Sequence, residues 1–174
     1  MNRPSIPHPW VAVALWMGGI LLLIPAGKPF LRLAKLAVGT TGVMVVGYAA
    51  GALLLVGLLR MLVETLEGLT PTRILLALSC LVVYASQLLL VRHPEELSHP
   101  LEYTPLALLL ELALPRKLSP WMRALAAMGL AALAAVLDET LQGWMPGRYF
   151  DSRDVWLDCV GAALPLLFLR IIDR

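Results

Sequence analysis

An all-α, polytopic bundle of about six transmembrane helices is the architecture this sequence predicts, and three observations predict it. Hydrophobic residues fill 59% of the 174 positions and charged residues only 15%, giving a mean hydropathy of +0.79, far above that of soluble domains. The runs 36–59 and 74–91 contain no charge at all. Finally, no Ser/Gly-rich linker, acidic tail or internal repeat divides the chain, so the expectation is a single transmembrane domain over 1–174.

A bilayer core of about 30 Å takes about 20 apolar residues per helix. Trp10 to Pro25 is the first such run, and its Trp10 and Trp16, with no small-x-small cleavage site, favour a retained helix over a cleaved leader. Leu36 to Leu59 is the second, its GTTG and later glycines predicting close contact with a neighbour. The third, Ile74 to Val91, completes a set of plain anchors in 1–91. The next three are shorter and carry charge: LEYTPLALLLELALP (101–115), Trp121 to about Gln142, and VWLDCVGAALPLLFL (155–169). Ionisable groups at such depth face a bundle interior or a wet cavity, so 92–174 is the half expected to carry function.

Six crossings place the 92–102 and 142–154 loops on one side, whichever way the protein is inserted. Arg3, Arg60, Arg73, Arg116, Lys117, Arg123, Arg170 and Arg174 fall on the other side, facing Lys28, Arg32, Lys35, Arg92, Arg148 and Arg153, a small excess that favours cytoplasmic termini. A net charge of +2, with basic residues scattered among apolar runs, excludes a nucleic-acid partner. Cys80 and Cys159 lack CxxC or Cys/His spacing and are expected to be packing residues. Trp10, Trp121, Trp144 and Trp156 lie near predicted helix ends, as an aromatic belt requires.

The chemistry-bearing groups cluster in two stretches. In SHPLEY, His99 and Glu102 are three residues apart and share a helix face. In DETLQGWMPGRYFDSRD, Asp138 and Glu139 both reach Gln142. A Pro146–Gly147 turn then presents Arg148. Asp154 and Asp158 form an i, i+4 pair, and Gly161 permits close helix packing. Glu111 lies about 120° round the helix from His99 and near Arg116 and Lys117, which predicts an interfacial charge. Gln87, Tyr84 and Ser86 are expected to bond to neighbouring helices.

Three readings of the cluster stay open. It is a structural ion-pair network fixing the packing of the last helices. It is an enzymatic or ligand-binding site, with His99, Glu102, Asp138 and Glu139 as acid/base candidates and Arg148 and Arg153 holding a phosphate bidentately, as a membrane lipid or lipid-linked precursor requires. Or it is a metal site built from His99, Glu102, Asp138 and Glu139. No cofactor is identified, and a homo-oligomer is compatible with the composition.

HPLEYTPLALLL followed by DETLQGWMPGRYFDSRDVWLDCVGAAL resembles the VanZ-like family of small bacterial membrane proteins, whose pattern runs H…EY, DE…Q…PGR and RD…(N/D)…G. The resemblance spans about residues 92–165. It implies that His99, Glu102, Tyr103, Asp138, Glu139, Gln142, Pro146, Gly147, Arg148, Asp154, Asp158 and Gly161 occupy the family's characteristic positions, but it names no substrate; Tyr103, Gln142, Arg148, Arg153, Asp154 and Asp158 are the substrate-binding candidates of the residue reading itself. Asp158 departs from the Asn often found there, and Pro165 stands where a second Gly is common. The family implies the bacterial cell envelope and its cytoplasmic membrane. It also implies a link to low-level resistance to the glycopeptide teicoplanin, with glycopeptide a candidate ligand.

Overall fold

Long apolar runs in this chain become helices, and the computed structural model describes them over residues 8–89, 91 and 93–173. Five α-helices follow in order: α1 Pro9–Thr65, α2 Pro71–Leu89, α3 Ser98–Ala113, α4 Pro120–Gly143 and α5 Ser152–Ile172. Short 3₁₀ turns, Leu66–Gly68 and Pro94–Leu97, precede α2 and α3, and no strand occurs among the described residues. Arg3, Arg92 and Arg174, three of the cations whose sides set the expected orientation, lie outside the described residues.

About six helices were expected and five elements are found, because the first two predicted spans run on as one 57-residue element in which two helical stretches meet at a kink. Lys28, Arg32 and Lys35 interrupt the hydropathy between those spans, but Lys and Arg are good helix formers, so the helix runs through them. Pro25 and Pro29 lie within it as well. The actual break is Gly39, with φ 74° and ψ 165°, a conformation open to glycine. Before Gly39 the helix climbs from Val13 to Lys28, which meets the 144–151 loop. Beyond it the helix descends, passing Leu97 at Gly47, Leu88 at Gly51, and the Phe168–Ile172 cluster at Leu62. Gly47 and Gly51 thus make the expected close contacts, Gly57 does not, and the GTTG stretch marks the reversal.

Four helices, α1, α2, α4 and α5, are long and apolar enough to cross a membrane. The 16 residues of α3 extend about 24 Å, short of a hydrocarbon core. Instead α3 is enclosed: Tyr103, Leu106, Ala107 and Leu110 pack with Ala162 and Leu166 of α5 and with Ala124, Ala127, Ala131 and Ala135 of α4. Those four alanines recur at helical spacing and are fully buried, so α4 approaches its neighbours closely along one stripe that ends at buried Asp138.

Side by side, α3 and α5 run parallel. His99 meets Asp158 near the start of both helices, Thr104 Oγ1 donates to the Gly161 carbonyl at 2.8 Å, and Arg170 Nη2 lies 3.2 Å from Glu111 Oε1 near their ends. Glu111 is therefore not interfacial. It is 3% exposed and paired across to α5, a partner that local sequence does not reveal. Tyr84 of α2 joins the same seam through Thr104, and Gln87 donates to the Leu157 carbonyl at 2.7 Å, whereas Ser86 bonds only within its own helix. Cys80 and Cys159 are free and half-buried, and Trp10, Trp121, Trp144 and Trp156 are exposed near helix ends.

The tightest backbone approach in this seam is at Gly161, where an added Cβ would lie 3.0 Å from the Pro100 Cα. Backbone cannot yield as a side-chain tip does. Gly161→Ala is expected to cost about 1–3 kcal/mol, whereas Gly57→Ala, with nothing within 4 Å of the new atom, is expected to cost nothing measurable. Thermal unfolding of the two purified variants in the same detergent checks this, and equal midpoints would contradict a tight crossing.

Candidate functional site

His99 enters the site because Pro94–Leu97 turns the chain into α3 and leaves the imidazole in the first helical turn, facing α5. Asp154 and Asp158 lie one turn apart on α5, so both carboxylates project to the same face. The imidazole sits between them, with Nδ1 2.9 Å from Asp158 Oδ1 and Nε2 3.5 Å from Asp154 Oδ2. Two carboxylate acceptors ask both ring nitrogens to donate, the bonding pattern of an imidazolium. This places the two loops expected to share a side in direct contact.

Around that clamp the remaining carboxylates gather. Tyr103 donates its hydroxyl to Asp138 Oδ2 at 3.3 Å. Glu139 Oε1 accepts from the Asp151 backbone N–H at 2.9 Å, tying the end of α4 to the start of α5, where the Asp151 side chain caps the helix through Arg153 N. Glu102 lies near His99, Asp158 and Asp138, close enough for their charges to act on it, and its backbone carbonyl accepts from the Trp16 indole at 2.8 Å. Five acids thus share the space of one imidazole. Asp138 Oδ1, Glu139 Oε2 and Asp158 Oδ2 are buried and meet no hydrogen-bond partner.

The cations expected to hold an anion have separate positions. Arg153 makes a two-pronged contact with Glu96, at 2.6 and 3.3 Å, so it clips the segment before α3 onto α5. Glu96, 7% exposed, escaped notice in the sequence because PEEL reads as an ordinary polar turn. Arg148 donates to the Gln142 side chain. Gly147, at φ 75°, makes the turn that presents it. A second Arg148 nitrogen faces α1, 3.5 Å from where a Cβ on Gly27 would be, and Lys28 Nζ donates to the Gly147 carbonyl at 2.7 Å. The rim therefore includes α1, which sequence reasoning treated as an anchor.

The structure brings His99, Glu102, Tyr103, Asp138, Glu139, Asp154 and Asp158 into one centre, with Gln142 and Arg148 at its rim and Arg153 to one side. Among the described residues no group of three or more His, Cys, Asp or Glu is arranged to hold a metal ion. Acid–base chemistry and hydrogen bonding to a donor-bearing ligand are what these groups can supply.

Removing His99 leaves a nearly fully buried Asp158 carboxylate without its counter-ion, a loss of about 3–5 kcal/mol for a buried pair. His99→Ala and Asp158→Ala are both expected to lower the unfolding midpoint strongly. Asp154→Ala should lower it less, since Asp154 lies farther from the imidazole and its side chain is 27% exposed against 1% for Asp158. A reversed order in a thermal-shift comparison would show that Asp154 dominates the clamp.

The segment that carries this centre matches a family model, described as VanZ/LLP1, over residues 97–173, which covers α3 to α5 and leaves α1 and α2 outside. Neither the curated proteins nor the solved structures contain a match to the chain.

Proposed function

We propose, on the premise that residues 97–173 belong to the VanZ/LLP1 family, that this membrane protein holds the polar head group of a lipid or lipid-linked precursor in its carboxylate centre and exchanges a proton with it. The observation that carries the reading is the trio of buried carboxylate oxygens without partners around His99. Leaving a buried polar atom unsatisfied costs about 1–3 kcal/mol. Three such atoms together weigh heavily against a typical stability of about 5–15 kcal/mol. Protons on the carboxyl groups, or hydroxyl and amine donors from a ligand, remove that cost.

In this reading Asp138 and Glu139 are the proton carriers, because both nitrogens of His99 are engaged by Asp154 and Asp158. Glu102 and Tyr103 flank the reacting group, Gln142 and Arg148 border the entrance, and Arg153 holds the wall in place through Glu96. The proposed setting is the bacterial cytoplasmic membrane. The proposed biological consequence is low-level glycopeptide resistance, through action on a lipid-linked precursor of the envelope.

A second reading, a binder without turnover, is favoured by the same clamp: an imidazole locked on both sides fits a structural role better than a catalytic one. Turnover separates the two. An enzyme converts many equivalents of a purified lipid-linked phosphate, whereas a binder retains about one and changes none.

Glu139→Gln keeps an oxygen for the Asp151 N–H while abolishing proton exchange, so the variant is expected to fold, to insert, and to lose most of a head-group species that co-purifies with the unaltered protein. Mass spectrometry of extracted lipids from both proteins reads the difference. Identical lipid profiles, together with an unchanged resistance phenotype, would sink the proposal.

A further inference from the structure

Three buried carboxylates of the centre are each satisfied on one oxygen and bare on the other. Asp158 Oδ1 meets His99 Nδ1, Asp138 Oδ2 accepts from the Tyr103 hydroxyl, and Glu139 Oε1 accepts from the Asp151 N–H. Their second oxygens, Asp158 Oδ2, Asp138 Oδ1 and Glu139 Oε2, have no hydrogen-bond partner, on residues only 1, 3 and 2% exposed. Asp138 stands close enough to both Asp158 and Glu139 for their charges to interact. The bare atoms thus share one neighbourhood, and all of them are acceptors.

Positive charge is short there as well as donors. His99 lies between Asp154 and Asp158, and Arg148 reaches Asp138 from the rim. Arg153 reaches Asp154 but already carries Glu96. His99 and Arg148 are left to face Glu102, Asp138, Glu139, Asp154 and Asp158. A hydroxyl would bring one donor and no charge, and a phosphate would add negative charge where there is already an excess. A primary ammonium brings three N–H donors and a positive charge on one small group.

The centre also lies where a lipid can reach it. Asp138 and Glu139 sit in the last turns of α4, a helix long and apolar enough to cross a membrane. On those same turns Val136, Leu137 and Leu141 are exposed, a face for acyl chains, and exposed Trp144 follows at the level where head groups begin. Glu102 and Asp154 are only half-buried, so the centre has an open edge.

Resting on the reading of the centre as a head-group site, we infer that the group it takes is the primary ammonium of a phospholipid, seated against Asp138, Glu139 and Asp158. Three donors meet three bare acceptors, and a cation enters a cluster rich in acids. Methylation of the nitrogen removes the donors one by one while the charge stays, so a quaternary ammonium leaves all three oxygens bare. An anionic head group lacks the charge altogether.

The test uses the purified full-length chain in mixed micelles with phosphatidylethanolamine, its mono-, di- and trimethylated forms, and phosphatidylglycerol, all with the same acyl chains. Lipid mass spectrometry after washing reads what stays bound. Retention is expected to fall along the methyl series, about tenfold or more from primary to quaternary, with phosphatidylglycerol retained no better than the quaternary form. Asp138→Asn keeps an acceptor for the Tyr103 hydroxyl and removes the charge, and is expected to lower phosphatidylethanolamine retention by about tenfold. Arg60→Gln, which removes a cation paired with Glu64 at 2.8 Å, is expected to leave it unchanged. Because the methyl series is read on the unaltered protein, its outcome does not depend on any variant folding. Equal retention along the series, or preference for phosphatidylglycerol, overturns the inference. Displacement of the lipid by millimolar ethanolamine also overturns it, because the site would then recognise a free amine and not a lipid. If Glu139→Gln sheds a bound lipid that has no amine, the centre holds a head group and the ammonium alone is wrong. If Glu139→Gln and Asp138→Asn both keep every lipid of the unaltered protein, the head-group reading falls together with it.

Discussion

The parallel seam between α3 and α5 is the constraint on which the rest depends. It is clamped by charge near both ends, His99 to Asp158 and Glu111 to Arg170. Twelve residues separate the two anchors on each helix, about 18 Å of rise, so the pairs demand one register. A slide by one turn would break both. Gly161 against Pro100, and Thr104 bonded to the Gly161 carbonyl, hold the helices close enough for those pairs to form. In a lipid setting, where apolar contact between helices gains little over contact with acyl chains, such polar fasteners and small residues decide who packs with whom.

The two clamps have different surroundings, and the difference shows where buried acids are in excess. At Glu111 cations and acids are matched: Arg170 lies against Glu111 and reaches Asp173 at 3.0 Å, and Arg73 joins them through the Asp173 carbonyl. At His99 one imidazole faces two carboxylates, with Glu102, Asp138 and Glu139 close behind. A pair that only fixes register has no use for the excess. Buried acids beyond those needed for packing are costly, and a fold that keeps them close together on three converging elements has a local demand for protons or donors that packing does not explain.

How much of this was legible in the chain follows from the same physics. Polar residues in an oily sequence stand out, so His99, Asp138, Glu139 and Asp158 could be singled out without a structure, and the shared side of the two loops followed from counting crossings. What could not be read was pairing at long range. Glu111 looked interfacial because Arg116 and Lys117 are near in sequence, yet its partner is 59 positions away. Arg153 looked like an anion holder because Glu96 gives no sign of facing it. The helix boundary was misplaced where hydropathy and helix propensity part company: Lys28, Arg32 and Lys35 end an apolar run without ending a helix, and the break comes at Gly39 instead.

That same segment alters the meaning of an anchor. Hydropathy assigns α1 the task of staying in the membrane, and most of its surface is indeed exposed and apolar. Yet Trp16 bonds the backbone of α3 beside the centre, Lys28 bonds the PGR turn, and Gly47 and Gly51 seat Leu97 and Leu88, the residues leading into and out of the loop before His99. Both edges of the site are therefore braced by a helix outside the VanZ/LLP1 segment. The loop that must present Arg148 is largely exposed, and the turn that must deliver His99 is seated through buried Val91 and Leu97, so the rigid helices alongside supply the positioning of both.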